Sequence, residues 1–160
     1  MKTNNKINII GLTQGSNIEI FLNLINILKE NDEINFSKIS AYVSFARYFE
    51  NSKVVKENND IEYLKEWEIF NNSKNIELNK KQINDLNRIL DNGQLWRSII
   101  GDRRLIYGKH CKSIEHYETN LTDKFLYSLI YNFISEFENL IQKIKPNIAI
   151  GFTPVTFGEL

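Results

Sequence analysis

The chain opens on a short apolar run, residues 6–12 (KINIIGL), that ends beside a cluster of turn formers. A short apolar run ending in glycine is how a strand covered on both faces reads. Ile18, Phe21, Leu22, Ile25 and Leu28 then recur at three- and four-residue spacing. That spacing predicts an amphipathic helix over 18–30, capped by Ser16 or Asn17 and ended at Asn31-Asp32. A second run of β-formers covers 39–44 (ISAYVS). Residues 46–59 carry a mixed signal. Beyond them, Ile61, Leu64, Trp67 and Phe70 predict a helix over 60–70, followed by a polar break at 71–75. Ile83, Leu86, Ile89 and Leu90 predict another helix, and Leu95, Trp96, Ile99 and Ile100 a third. The longest stripe, from Phe125 through Leu129, Phe133 and Phe137 to Ile144, predicts a helix over 121–144. Asn120 or Thr122 opens it and Pro146 stops it. Residues 147–152 (NIAIGF) then read as a third strand of the buried type.

These elements define an α/β class, a Rossmann-like small parallel sheet with a large helical insertion between strands 2 and 3. The insertion, about 60–120, is far longer than the usual crossover of about a dozen residues. Residues 1–160 read as a single domain, with no internal repeat and no low-complexity linker. Three parallel strands make a thin core, and the last of them reaches the carboxyl edge of the sheet, where ligands of open α/β sheets bind. The expectation is therefore an N-terminal domain, a fragment of a longer protein.

Composition narrows the classes. Twenty basic residues balance twenty acidic ones, which removes the electrostatic case for nucleic acid. No run is apolar enough to span a bilayer, and residues 1–6 have no signal-peptide character, so the expected location is cytoplasmic. A single cysteine, Cys111, excludes an internal disulfide and multi-cysteine metal sites. His110 and His116, six apart, fit no helical ligand pair, so no metal is expected.

The first loop, 11–16 (GLTQGS), lies where a phosphate could meet a helix N-terminus, with Gly15 and Ser16 as ligand contacts. It matches neither G-x-G-x-x-G nor a Walker A sequence, and a plain strand-to-helix turn accounts for it equally. The densest polar cluster is 96–110 (WRSIIGDRRLIYGKH). Arg97, Arg103 and Arg104, with Tyr107 and Lys109, have the forks and donors to hold a carboxylate or phosphate, and Asp102 could orient one of them. A solvated face of surface ion pairs would use the same residues. After the third strand come Thr153 and Glu159; Glu159 is either a first-turn acid favoured by the helix dipole or a base that activates a hydroxyl.

Three segments, 95–112 (LWRSIIGDRRLIYGKHCK), 143–152 (KIKPNIAIGF) and 153–160 (TPVTFGEL), resemble the N-terminal part of bacterial capsule and surface polysaccharide biosynthesis proteins. That family looks like GT-B-like glycosyltransferases, with two Rossmann-like domains across a cleft. The resemblance implies an acceptor-side domain for sugar transfer from a nucleotide-activated donor. It implies no cofactor bound by this part, a nucleotide-sugar donor held by a C-terminal donor domain, and a glycan acceptor or anionic sugar as partner. Peripheral contact with membrane-associated polysaccharide machinery would follow. Glu159 and Asp102 are then the candidate catalytic residues, and Gly15, Ser16, Arg97, Arg103, Arg104, Tyr107, Lys109 and Thr153 the substrate contacts. Two other readings stay open: a non-catalytic assembly module of polysaccharide synthesis, and a half-domain of a sugar-nucleotide epimerase.

Overall fold

The computed structural model describes residues 6–13, 17–45, 47–90 and 122–151. In chain order these form β1 (Lys6–Thr13), α1 (Asn17–Lys29), β2 (Asn35–Val43), α2 (Tyr48–Glu57), β3 (Glu62–Lys65), α3 (Glu66–Ser73), α4 (Lys80–Leu90), α5 (Asp123–Ile144) and β4 (Ile148–Gly151). The fold is α/β, with one four-stranded sheet in the order β3-β2-β1-β4. Every pairing is parallel, so the Rossmann-like expectation holds. Two compact units divide the chain. One contains the sheet and runs to Glu68, then resumes at Glu136; the other lies between Ile69 and Ser135. The boundaries fall inside α3 and α5.

The sheet unit is built on β1 and β2. Ile9, Ala41 and Val43 point to one face and bury against Ile18, Phe21, Leu22 and Ile25 of α1 and Val55 of α2. Because side chains alternate along a strand, Tyr42 points to the other face. There it is fully buried and meets Phe137 of α5, with ring centroids 5.4 Å apart. Helices therefore cover both faces, which is why residues 6–12 read as a continuous apolar run. Gly11 has a packing role. A Cβ built on it would stand 2.8 Å from the Phe21 ring, so α1 is seated directly on the bare backbone of β1. Gly11 therefore lies within β1 and serves packing, so the loop read over 11–16 starts later than its sequence suggests.

The start of α5's successor strand is fixed by Asn8. Its Nδ2 donates to the carbonyls of Ile144 (2.8 Å) and Lys145 (3.1 Å), capping the end of α5. Its backbone N–H donates to Asn147 Oδ1 at 3.0 Å, and Asn147 N donates back to Asn8 O at 2.8 Å. Lys145 adopts the left-handed conformation (φ 53°) that ends helices, and Pro146 follows it, as the sequence suggests.

Three expectations change. Residues 60–70 are not one helix: β3 occupies Glu62–Lys65 and α3 begins at Glu66. The segment pairs with β2 from Ser40↔Glu62 to Val43↔Lys65, giving the sheet a fourth strand inside the stretch read as helical insertion. Its three-residue apolar spacing fits a helix, yet Tyr63 and Leu64 serve opposite faces of a strand. Second, β2 starts at Asn35, four positions before the apolar run, because its polar first residues pair with Lys6–Asn8 at the solvated edge. Third, β4 is not buried. It holds an outer position in the sheet, and Ile148, Ala149 and Gly151 are exposed.

In the second unit, α4 opens with a reciprocal capping box. Asn79 Oδ1 accepts from Gln82 N at 3.0 Å, and Gln82 Oε1 accepts from Asn79 N at 2.9 Å. Thr122 caps α5 by accepting from Phe125 N at 3.2 Å. Ser73, placed by sequence in a polar break, is instead the buried last residue of α3. Its hydroxyl donates to Ile69 O at 2.6 Å. Asn132 of α5, also buried, donates from Nδ2 to Ile69 O (3.1 Å) and to Ser73 Oγ (3.0 Å).

Candidate functional site at the carboxyl edge of the sheet

The strand order assigns the site to an edge. The chain builds outward from β1 to β2 and β3, then returns to pair β4 on the other side of β1. That reversal is a topological switch point, and ligands of open α/β sheets bind at the carboxyl ends of the strands beside it. Leu12 of β1 pairs with Gly151 of β4, so these two strands end side by side. The polar frame of the edge is tied down from the β2 side. Thr13 Oγ1 donates to Tyr42 O at 2.6 Å, and Ser44 N donates to Thr13 O at 3.3 Å. Asn51 of α2, 2 % exposed, donates from Nδ2 to Ser44 O at 3.4 Å. Thr13, Ser44 and Asn51 thus form a buried rail along the strand ends.

Beyond Ser44 the chain turns outward. The carboxylate of Glu66, almost wholly buried, accepts the backbone N–H of Phe45. Arg47 then takes the left-handed conformation (φ 55°) as the residue before α2. Such a backbone is uncommon for arginine and persists where the surroundings hold it. Together these features set three aromatic rings at the edge. Tyr48 lies edge-on to the buried Trp67 at 5.3 Å between centroids, and contacts Phe45 at 5.6 Å and Phe49 at 5.5 Å. Phe45, Tyr48 and Phe49 are all exposed, Phe49 to 83 %. None of the three stands out by pattern, because Phe45 lies just past the 39–44 run and Tyr48 and Phe49 fall in the 46–59 stretch of mixed signal.

All the residues singled out from sequence as candidates (Gly15, Ser16, Arg97, Asp102, Arg103, Arg104, Tyr107, Lys109, Thr153 and Glu159) lie outside the described residues. Gly15 follows the end of β1 by two positions, and Thr153 follows the end of β4 by two. Among the described residues no group of His, Cys, Asp and Glu could hold a metal ion, and no helix is long and apolar enough to cross a membrane.

A cleft of about 300 Å³ opens at the opposite, amino edge, lined by Phe36, Lys38, Asp60, Glu62, Lys143 and Ile144. Its charges serve one another: Lys143 Nζ meets Glu62 Oε1 at 2.5 Å. Nearby, Tyr63 of β3 buries a hydroxyl that finds no hydrogen-bond partner among the described residues. Burial first, and then the Asp60 carboxylate, push its pKa from an ordinary 10.0 up to about 12. The folded protein therefore holds the phenol proton to higher pH than the unfolded chain does. This contribution to stability is complete below pH 10 and is lost as pH rises toward 12. Tyr63→Phe should flatten that decline in urea midpoints measured from pH 9 to 12, and leave stability near neutral pH unchanged or slightly raised.

Compared with known proteins, the chain matches no family model, no curated protein and no solved structure.

Proposed function

We propose that this chain is the acceptor-side domain of a glycosyltransferase of surface polysaccharide synthesis, taking sugar from a nucleotide-activated donor held by another domain. The supporting observation is the β1/β4 switch point, whose adjacent strand ends lead directly into residues 14–16 and 152–160. The 95–112 and 143–160 segments supply the resemblance to the family. In this reading Gly15, Ser16 and Thr153 border the acceptor, Arg97, Arg103 and Arg104 with Tyr107 and Lys109 hold its anionic group, and Glu159, with Asp102 as the other candidate, accepts the proton of the attacking hydroxyl.

The test is nucleotide release from a panel of nucleotide sugars, with and without acidic oligosaccharide acceptors, using the protein expressed with any further coding sequence of its gene. Release should require the acceptor. In Glu159→Gln it should fall by about 10²–10⁴-fold, the usual contribution of a general base. Release indifferent to acceptor, or a Glu159→Gln protein as active as the parent, would overturn the reading.

A further inference from the structure

Exposed apolar surface on a folded domain marks a contact site when it is contiguous and held in shape. The rings of Phe45, Tyr48 and Phe49 meet both conditions. They touch in series, and Tyr48 is braced edge-on against the buried Trp67. The buried Glu66 carboxylate holds the Phe45 amide, so the shelf is anchored at its root. It stands at the carboxyl end of β2, on the edge where this class of sheet binds ligands. Arg47, between the rings in sequence, is exposed, and its side chain forms no ion pair among the described residues. Glu50, the acidic residue in the first turn of α2, makes none with it either.

From this juxtaposition we infer that the Phe45–Tyr48–Phe49 shelf and Arg47 form a subsite for an acidic pyranose. One C–H face of the sugar lies on the rings, and its carboxylate faces the guanidinium. The chemistry is complementary on both counts. An aromatic face takes the apolar face of a pyranose, and an arginine fork suits a planar carboxylate better than any neutral hydroxyl. The inference rests on the acceptor-side reading above and adds a second acidic sugar of the acceptor, a uronic-acid-type residue distinct from the anionic group assigned there to Arg97, Arg103 and Arg104.

The experiment uses methyl β-D-glucuronide and its neutral counterpart methyl β-D-glucoside as probes, with saturation-transfer NMR and amide titrations on the whole chain. The glucuronide should receive saturation on one ring face and bind more tightly than the glucoside. Phe49→Ala, which removes an exposed ring and leaves the core intact, should weaken glucuronide binding by about tenfold, the upper end for one aromatic contact. Arg47→Asn keeps a residue tolerant of the left-handed backbone and should abolish the preference for glucuronide over glucoside. Glucuronide affinity unchanged in Phe49→Ala would overturn the subsite. So would a chain that binds neither sugar but self-associates through these rings, shown by a fall in mass in Phe49→Ala; that outcome marks a protein-docking patch. The subsite and the transferase reading fail separately. Acceptor-dependent nucleotide release with a silent shelf removes only the subsite, and ring-dependent glucuronide binding without transfer removes only the transferase.

Discussion

Phe21→Ala should be among the most damaging single changes in the described core, lowering stability by about 3–5 kcal/mol. The ring is 1 % exposed and fills the space between α1 and the central strand, directly over Gly11. The same contact makes the reciprocal experiment informative. Gly11→Ala places a methyl 2.8–2.9 Å from three ring carbons in a segment whose backbone is locked by pairing on both sides. It should cost about 1–3 kcal/mol through overpacking. In the Phe21→Ala background the methyl meets a cavity, so its cost should fall below about 1 kcal/mol, a clear departure from additivity. Urea midpoints of the four proteins check this. Additive costs would mean that the two residues do not share the site.

The second large effect is expected at Asn132. It joins α5 to the end of α3 through Ile69 O and Ser73 Oγ, and all three polar groups lie away from water. Asn132→Leu keeps the branched shape but strips Ser73 Oγ of a donor and leaves a neutral network half made. A loss of about 2 kcal/mol is expected, within the usual range for an orphaned buried polar group. Adding Ser73→Ala removes the orphan as well, and the double variant should recover most of that loss. Chemical denaturation of the two variants and the parent decides the point. A double variant less stable than Asn132→Leu alone would show that the hydroxyl's bond to Ile69 O is the dominant contact.

The elements that could be read from sequence are those whose periodicity and burial agree. β1 and β2 are sandwiched by helices, so their apolar runs announce them. In α1, Ile18, Phe21, Leu22 and Ile25 are all buried, which is the face their spacing predicts. The start of α5 at Thr122 and its end before Pro146 follow from capping chemistry. β3 escaped because four residues are too few to show alternation, and Ile61, Leu64 and Trp67 are buried at a spacing a helix would also produce. β4 looked interior because its residues are apolar, although an outer strand leaves them in solvent. The site was legible only as an edge. Its aromatic shelf depends on Arg47 turning left-handed and on Trp67 arriving from a distant helix, and neither fact leaves a period in the chain.

The clasp between Asn8 and Asn147 spans 139 positions. It therefore sets a clock on biosynthesis. At ribosomal speeds of 5–20 residues per second, roughly 7–28 s separate the appearance of Asn8 from that of its partner. Through that interval β1 can pair with β2, but its other edge waits for β4, and the face that carries Tyr42 waits for Phe137. Loop closure over so long a stretch comes late and slowly. Until β4 has been made, β1 has a pairing partner along one edge only.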